Sequence, residues 1–565
     1  MATLDYIVMG VFALLIFGIG LTFTRVSNKG GQAFFEAGGE TPWWINGLSL
    51  FISYFSAGTF VVWGSIAYKS GLVANIIQTT MAASGLIVTL FIAGRWKRTG
   101  VATAAEYMGK RFGAREKQFY TFLTLLLSLF TTAGVLYPVG KMVEVASGLP
   151  LNWCIVIIGL IIVLYTAAGG LWAVLVTDVV QFVILTAAVL IVIPAAAGDI
   201  GGINHLFTRA PKGFFNPVND EYTYGFMLAF VVYQTFYIGG NWSYVQRYTS
   251  VDTAKNSKKV AGLFTVLYLF CPVIWMLPPM IYRIINPNLH GLEVEDAYMM
   301  LIHRVMPAGL IGLVLAGMVS ATSSKANTTI NMVATVFAQD IYKNLMRPAA
   351  PDKEVIWVAR MFTLIFGAAT IGVAMWIPSA GGIVEVVLST ASIAGGALFG
   401  PMIWSLFSKR QTGFSVVTAT VLSLLINFFF KIISPDLLHI KLTRTMETVC
   451  GMGIPVVTLL LFELWYMARG KVSQGAATME VLATEARQKH TSTVHFAAQQ
   501  QNIFGITVIA VSVCVVGVGI IVLGALATKF ATTVVTVGCV ILAIGVSIAV
   551  AIARQKAKAL VKNQG

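Results

Sequence analysis

The sequence predicts an all-α integral membrane protein, on three observations. Of its 565 residues, 57% are hydrophobic and only 11% are charged, whereas soluble domains carry about 25% charged residues. Mean hydropathy is +0.82. The apolar residues gather into runs of about 20–30, the length a helix needs to cross a bilayer. A soluble enzyme, a disordered chain and a collagen-like fold are excluded. The net charge of +15 would point to nucleic acid in a soluble protein. Here the basic residues fall at helix ends and in loops, so topology accounts for them and no nucleic-acid partner is expected.

Fifteen spanning helices are expected, at about 4–24, 43–68, 71–94, 118–147, 151–168, 171–197, 223–246, 259–286, 304–342, 355–378, 382–407, 413–433, 446–468, 503–527 and 531–553. The first lacks a basic leader and a small-residue cleavage site, so it reads as a retained helix within an N-terminal segment, 1–42. Two helices are interrupted, one by Ser53-Tyr54-Phe55-Ser56-Ala57-Gly58-Thr59 and one by Gly239-Gly240-Asn241. Backbone left unpaired at membrane depth must line a cavity or bind something. Paired breaks at the head of two five-helix units predict an inverted repeat, 43–197 and 223–412, joined by an external loop, 198–222. Residues 413–469 add two helices, and 470–502 form a polar linker in which 476–488 suits an interfacial helix. Residues 503–565 form two peripheral helices facing lipid and a basic tail. With the N-terminus outside and the C-terminus cytoplasmic, 27 of the 38 Lys and Arg residues lie on the cytoplasmic side and nine on the other. This asymmetry favours that orientation in a plasma (inner) membrane.

The five cysteines all sit in apolar runs without metal-type spacing, and the six histidines form no cluster. They predict neither a metal site nor a cofactor. Charge inside the membrane is more informative, because each such group costs about 2.5–3.5 kcal/mol at the bilayer centre. The candidates are Asp178, Lys325, Lys141, Glu144 and Glu385. The helix over 304–342 is also polar along one stretch: Ser320, Ser323, Ser324, Lys325, Asn327, Thr328, Thr329 and Asn331. That stretch must meet a watery path, an ion or partner helices.

Three segments carry a resemblance. GGLWAVLVTDVVQ at 169–181 is similar to the G-G-x-x-A-V-x-x-T-D-x-x-Q signature of the sodium/solute symporter family, and FAQDIYK at 337–343 and GNWSYVQR at 240–247 agree with it. The resemblance spans about residues 4–470. It implies a LeuT-like 5+5 inverted repeat preceded by an extra N-terminal helix, with additional C-terminal helices outside the commonest core. It also implies a cation site made by carbonyls at the first break, here Ile52 and Phe55, and by positions on the polar helix, here Ala321, Ser324 and Lys325. At the last of these the family's hydroxyl is replaced by lysine.

That replacement changes the expected chemistry. Two unit charges about 4 Å apart repel by roughly 4 kcal/mol at an effective dielectric of 20, which weakens sodium binding on the order of a thousandfold. A lysine ammonium offers three donors on a flexible stem. It is suited to the negative end of a half-helix, as a tethered substitute for the ion. Asp178 resembles a family carboxylate near this site, and a Lys325–Asp178 pair would neutralise both charges. The expectation is a sodium-independent or proton-linked transporter. The alternatives are a conventional symporter with sodium near Asp178 and Ser324, with Lys325 turned to the cytoplasmic face, and, more remotely, a membrane sensor. No enzyme constellation stands at membrane depth.

By resemblance to sodium–galactose symporters, sugar-contacting positions fall on Thr59, Gln78, Met81, Gln234 and Tyr268, and an inner-gate tyrosine on Tyr237. Trp63 and Phe236 add ring-stacking surface. Neutral hydrogen-bonding groups beside aromatic rings suit a polyhydroxylated solute, a sugar or sugar acid. Tyr268 stands where the family has lysine and Met81 where it has serine, so galactose itself is not expected. Lys141 either attracts an anionic substrate or pairs with Glu144 one turn on, and Glu385 reads as a helix-end residue. The expected partners are a small-molecule substrate and the lipid bilayer, with a monomer or weak oligomer as the assembly.

Overall fold

The computed structural model describes residues 1–27, 41–101, 104–165, 171–489 and 495–564, and some helical side chains, Ser324 among them, lie outside that description. Residues 28–40 of the N-terminal segment and 490–494 of the linker fall outside it. The described residues form helices and no strand. Among the described residues ten helices are long and apolar enough to cross a membrane, or eleven if one bent pair counts as a single span. A helix stands at each expected position within the described residues, but fewer of these helices than the fifteen expected have the length and composition of a span.

In chain order these are α1 (Thr3–Ser27), α2 (Trp43–Tyr54), α3 (Gly64–Ser70), α4 (Leu72–Arg98), α5 (Ala104–Phe112), α6 (Ala114–Ser147), α7 (Leu151–Tyr165), α8 (Leu171–Asp199) and α9 (Asn204–Arg209). Then follow α10 (Tyr224–Gly240), α11 (Trp242–Thr249), α12 (Ala254–Ile285), α13 (Ala297–Val305), α14 (Leu310–Val336) and α15 (Asp352–Trp376). The chain ends with α16 (Ile383–Ser405), α17 (Gly413–Ile433), α18 (Arg444–Ala468), α19 (Gln474–Lys489), α20 (His495–Leu526) and α21 (Ala531–Gln564).

Both expected breaks are present. Between α2 and the helical stretch Thr59–Ser70 the axis bends by 55°. Phe55 is extended (φ −88°, ψ 122°). Side-chain hydroxyls take over the backbone amides freed there: Ser56 donates its N–H to Thr59 Oγ1 at 3.2 Å and Gly58 to Ser56 Oγ at 3.2 Å. The second break falls at Asn241, also extended, whose side chain caps α11 by accepting from the Ser243 amide at 3.0 Å. One expectation is corrected. The single helix over 304–342 is two, α13 and α14, because Pro307 lacks an amide and Gly309 takes φ +89° between them.

The new start of α14 has a partner at the far end of the sequence. Asp5 of α1 is fully buried, and its Oδ1 accepts from the amides of Gly309 (2.7 Å) and Gly312 (2.9 Å). A carboxylate on a helix N-terminus satisfies orphan donors and the helix dipole together. Gly312 permits the approach, since a Cβ there would come within 2.2 Å of the Asp5 carbonyl oxygen. At the other end of the chain, α20 and α21 form a hairpin packed on α8. Its outer faces, including Val511, Val515, Val518 and Ile544, are exposed apolar surface suited to lipid.

Asp5→Ala should lower the stability of the detergent-solubilised protein by about 1–2 kcal/mol, the worth of a lost cap, seen as a lower melting temperature. Asp199→Ala, which removes an exposed ion pair with Arg304, should leave it nearly unchanged.

Candidate functional site

A cavity of about 280 Å³ lies between the two breaks, walled by the α2–α3 junction, α6, α10, α11, α14 and α16. Its deep end, at Thr59, Val62 and Trp63, is buried. Thr124, Leu127, Trp242, Ser243 and Met332, at the other end, are half-exposed. The cavity therefore opens toward the side that bears the basic segments 95–117 and 247–258. Hydroxyl groups of Ser53, Ser56, Ser128 and Thr329 alternate on its wall with the rings of Tyr54, Trp63, Tyr237, Trp242, Tyr244 and Phe399.

Among the described residues three charged side chains reach this wall: Lys325 of α14, Asp178 of α8 and Arg247 of α11. The Lys325–Asp178 pair is not formed, which corrects that expectation. Ser49 donates to Asp178 Oδ2 at 2.6 Å, and Arg247 Nη2 stands 3.9 Å from the same oxygen. Arg247 is fixed in turn by the Ser243 carbonyl at 2.7 Å and by Ser49 Oγ at 3.4 Å. The physical reason is the second break. It restarts the helix at Trp242, so that α11 carries Arg247 to α2 and α8. The Lys325 ammonium is left with no ion pair or hydrogen bond to any described group, the carbonyls of Ile52 and Phe55 included. Counting Lys325, Arg247 and Asp178 at full charge, the wall carries one net positive charge.

The comparisons with known proteins agree with this architecture. The family model described as "Sodium:solute symporter family" matches residues 34–421, more than half of the chain. The chain belongs to the sodium:solute symporter family. It is 25% identical over 464 residues to a sodium/glucose cotransporter of Vibrio parahaemolyticus, covering 76% of this chain and 85% of that one. It is 25% identical over 453 residues to the sodium/sialic acid symporter of Proteus mirabilis, covering 76% and 91%. A solved structure of a sodium-coupled sialic acid symporter, in a substrate-bound outward-open state, superposes with a TM-score of 0.67. It has 23% sequence identity and covers 82% of this chain and 98% of that one. This symporter-family chain is accordingly a membrane transporter.

The sequence-predicted positions divide into two groups. Ile52, Thr59, Trp63, Asp178, Tyr237, Ala321 and Lys325 share the cavity wall. Phe55, Gln78, Met81, Gln234 and Tyr268 are buried behind it. Gln234 accepts from the Tyr54 hydroxyl at 3.1 Å. Tyr268 packs its ring against Tyr54 and Phe51. The amide of Gln78 has no described partner at either atom. The side chain of Ser324 and residues 169–170 of the signature lie outside the described residues. Lys141 is away from the cavity and pairs with Glu144 at 3.1 Å, the expected partner, and also with Asp296. Glu385 is held by Lys431 at 2.7 Å and Arg444 at 3.2 Å. Sequence reasoning missed Arg247. It stood in the quoted GNWSYVQR segment but was counted among loop charges, although six residues after a break still lie within two helical turns of it.

Arg247→Met should destabilise the protein by about 3–5 kcal/mol, because it leaves Asp178 buried without a countercharge. The double variant Arg247→Met/Asp178→Asn should recover much of the loss in a thermal melt.

Proposed function

We propose that the chain is a secondary transporter of a small polar solute, a sugar or sugar acid, working by alternating access through a LeuT-like 5+5 repeat. In this reading 43–197 and 223–412 are the two halves and the N-terminus is outside. Lys325 carries, as part of the protein, the positive charge that relatives take from sodium, so transport is sodium-independent or proton-linked. One observation carries the reading. An ammonium without a counter-charge among the described groups shares a cavity wall with Ile52 at the first break and Ala321, one turn before it on α14. The family's cation site is expected at these positions.

The physics of the break supports the same reading. The Ser56 amide turns to Thr59 Oγ1 instead of closing on Ile52, which frees an acceptor carbonyl at the C-terminal end of a half-helix. Such an end attracts positive charge, and a fixed ammonium nearby repels a second cation. Thr59, Trp63 and Tyr237 on the wall then supply a hydroxyl and two rings for a polyhydroxylated ligand with an apolar face. Gln78, Gln234 and Tyr268 join them only after the aromatic layer of Tyr54 moves.

A sodium-coupled symporter with its ion near Asp178 and Ser324 is the second reading. The family's sodium coupling favours it. The guanidinium of Arg247 beside Asp178 weighs against it, because that carboxylate already has a cation.

The test is uptake of a labelled panel of sugars and sugar acids into proteoliposomes at fixed membrane potential. The transported solute should saturate, and its rate should change less than twofold when choline replaces sodium. Lys325→Ser should introduce a sodium response. Tenfold sodium activation of the native protein overturns the proposed role of Lys325 and leaves the transporter assignment standing.

A further inference from the structure

The deep end of the cavity is closed by a feature that the proposed role of Lys325 does not involve. A short 3-10 turn, Gly291–Asp296, links α12 to α13 and packs on the helical stretch Thr59–Ser70. Its last two residues are acidic and buried, and both turn inward. Glu295 Oε1 accepts from the backbone amide of Ile383, the first residue of α16, at 2.9 Å, and its Oε2 accepts from the Tyr137 hydroxyl of α6 at 2.7 Å. Asp296 accepts from Lys141 Nζ of α6 at 3.1 Å. The fit is close. Gly382 adopts φ +92°, and a Cβ there would lie 2.5 Å from Glu295 Oε1.

The place of these contacts gives them meaning. Lys141 lies six residues past Val135, the last residue of α6 on the cavity wall, or roughly 9 Å farther along the helix axis. Ile383 stands three residues before Val386, where α16 joins the wall. The turn thus bridges two walls at the level where the cavity ends. Two buried polar groups toward this end of the bundle have no described partner: the amide of Gln78, six residues past the start of α4, which follows the Thr59–Ser70 stretch, and the hydroxyl of Tyr298, the second residue of α13. Tyr298 is stacked on Phe60 of the Thr59–Trp63 turn at 4.0 Å. Buried polar atoms without partners are costly, so the closed arrangement needs its latch. In an alternating-access cycle the same atoms regain partners when this end is wetted.

We infer that Gly291–Asp296 is a latched cover, whose Asp296–Lys141 pair and Glu295 hydrogen bonds hold the deep end of the cavity shut and must release α6 and α16 before that end opens. The charge logic fixes the sign of its pH dependence. Burial pushes the Asp296 carboxyl up to about 6 against the opposing pull of Lys141, with Glu144 and Glu295 adding to the rise. Burial also raises Glu295, against hydrogen bonds from Tyr137 and Ile383 and the charges of Lys141 and Lys69. A carboxyl with a higher pKa when covered than when solvated binds protons more tightly in the covered state. Closure therefore takes up protons: acid favours the cover closed, and raising the pH through about 6 favours opening.

The experiment needs neither substrate nor sodium, so its outcome is separate from that of the transport assay. Gln78→Cys is placed in the native chain, and N-ethylmaleimide labelling in detergent is followed by peptide mass spectrometry. Lys212→Cys, at an exposed site in the loop 198–222 outside the spans, is added as the reference thiol, and buried Cys154 reports unfolding. Residue 78 should label at least tenfold more slowly than residue 212. Adding Lys141→Met should raise the ratio at least tenfold while Cys154 stays protected, and the ratio should fall between pH 7.5 and pH 5.5. If Lys141→Met exposes Cys154 as well, Tyr137→Phe decides by the same ratio, with a smaller rise expected. A ratio that moves less than twofold in the deciding variant, or that rises in acid, overturns the latch.

Discussion

The constraint on which this structure depends is that a peptide group inside a bilayer must have a partner. Helices meet it along nearly the whole chain. At residues 55–58 and at Asn241 the helical ladder stops, and the molecule is arranged around the consequences. Ser56, Thr59 and Asn241 supply side-chain acceptors for the freed amides. The water-accessible space that such breaks require is the cavity itself. The breaks also re-aim the chain. The first turns the stretch from Thr59 away from α2 by 55°, and the second lets α11 carry Arg247 to Asp178.

Two classes of buried charge then share the molecule. Among the described residues most are matched: Asp178 with Arg247 and Asp296 with Lys141, and the partly exposed Glu385 is likewise held by Lys431 and Arg444. Such pairs contribute little net stability, since desolvation offsets attraction, but they are expensive to break one partner at a time. They are therefore good markers of where the molecule has to hold one geometry. Lys325 stands apart because no described side chain supplies it a counter-charge. The proposed exchange of a diffusible sodium ion for a tethered ammonium follows from that difference in kind.

The scaffold around these groups is anchored at unexpected places. Asp5, four residues from the start of the chain, caps the helix that carries Lys325. The C-terminal hairpin packs on α8, which carries Asp178. Two of the three helices that present charge to the cavity, α14 and α8, are thus braced by segments beyond the two proposed repeats, whereas α11 is held by the contacts of Arg247 with Asp178 and Ser49.

By itself the sequence determined the class of the protein, the position of its helices, both breaks and the family, because hydrophobic periodicity, glycine–polar interruptions and a thirteen-residue signature are local properties of the chain. It also marked Asp178, Lys325, Lys141 and Glu385 as notable, since charge inside an apolar run is visible without coordinates. The partners of those charges were not legible. Asp178 met Arg247 and not Lys325, Lys141 acquired Asp296 from 155 residues away, and Gln78, Gln234 and Tyr268 fell behind the cavity wall. Only the tertiary structure decided these, because an ion pair forms between whichever groups the packing of separate helices brings within a few ångströms. That distance is set by the bends at the two breaks and by the conformational state of the molecule, and no spacing along the chain encodes it.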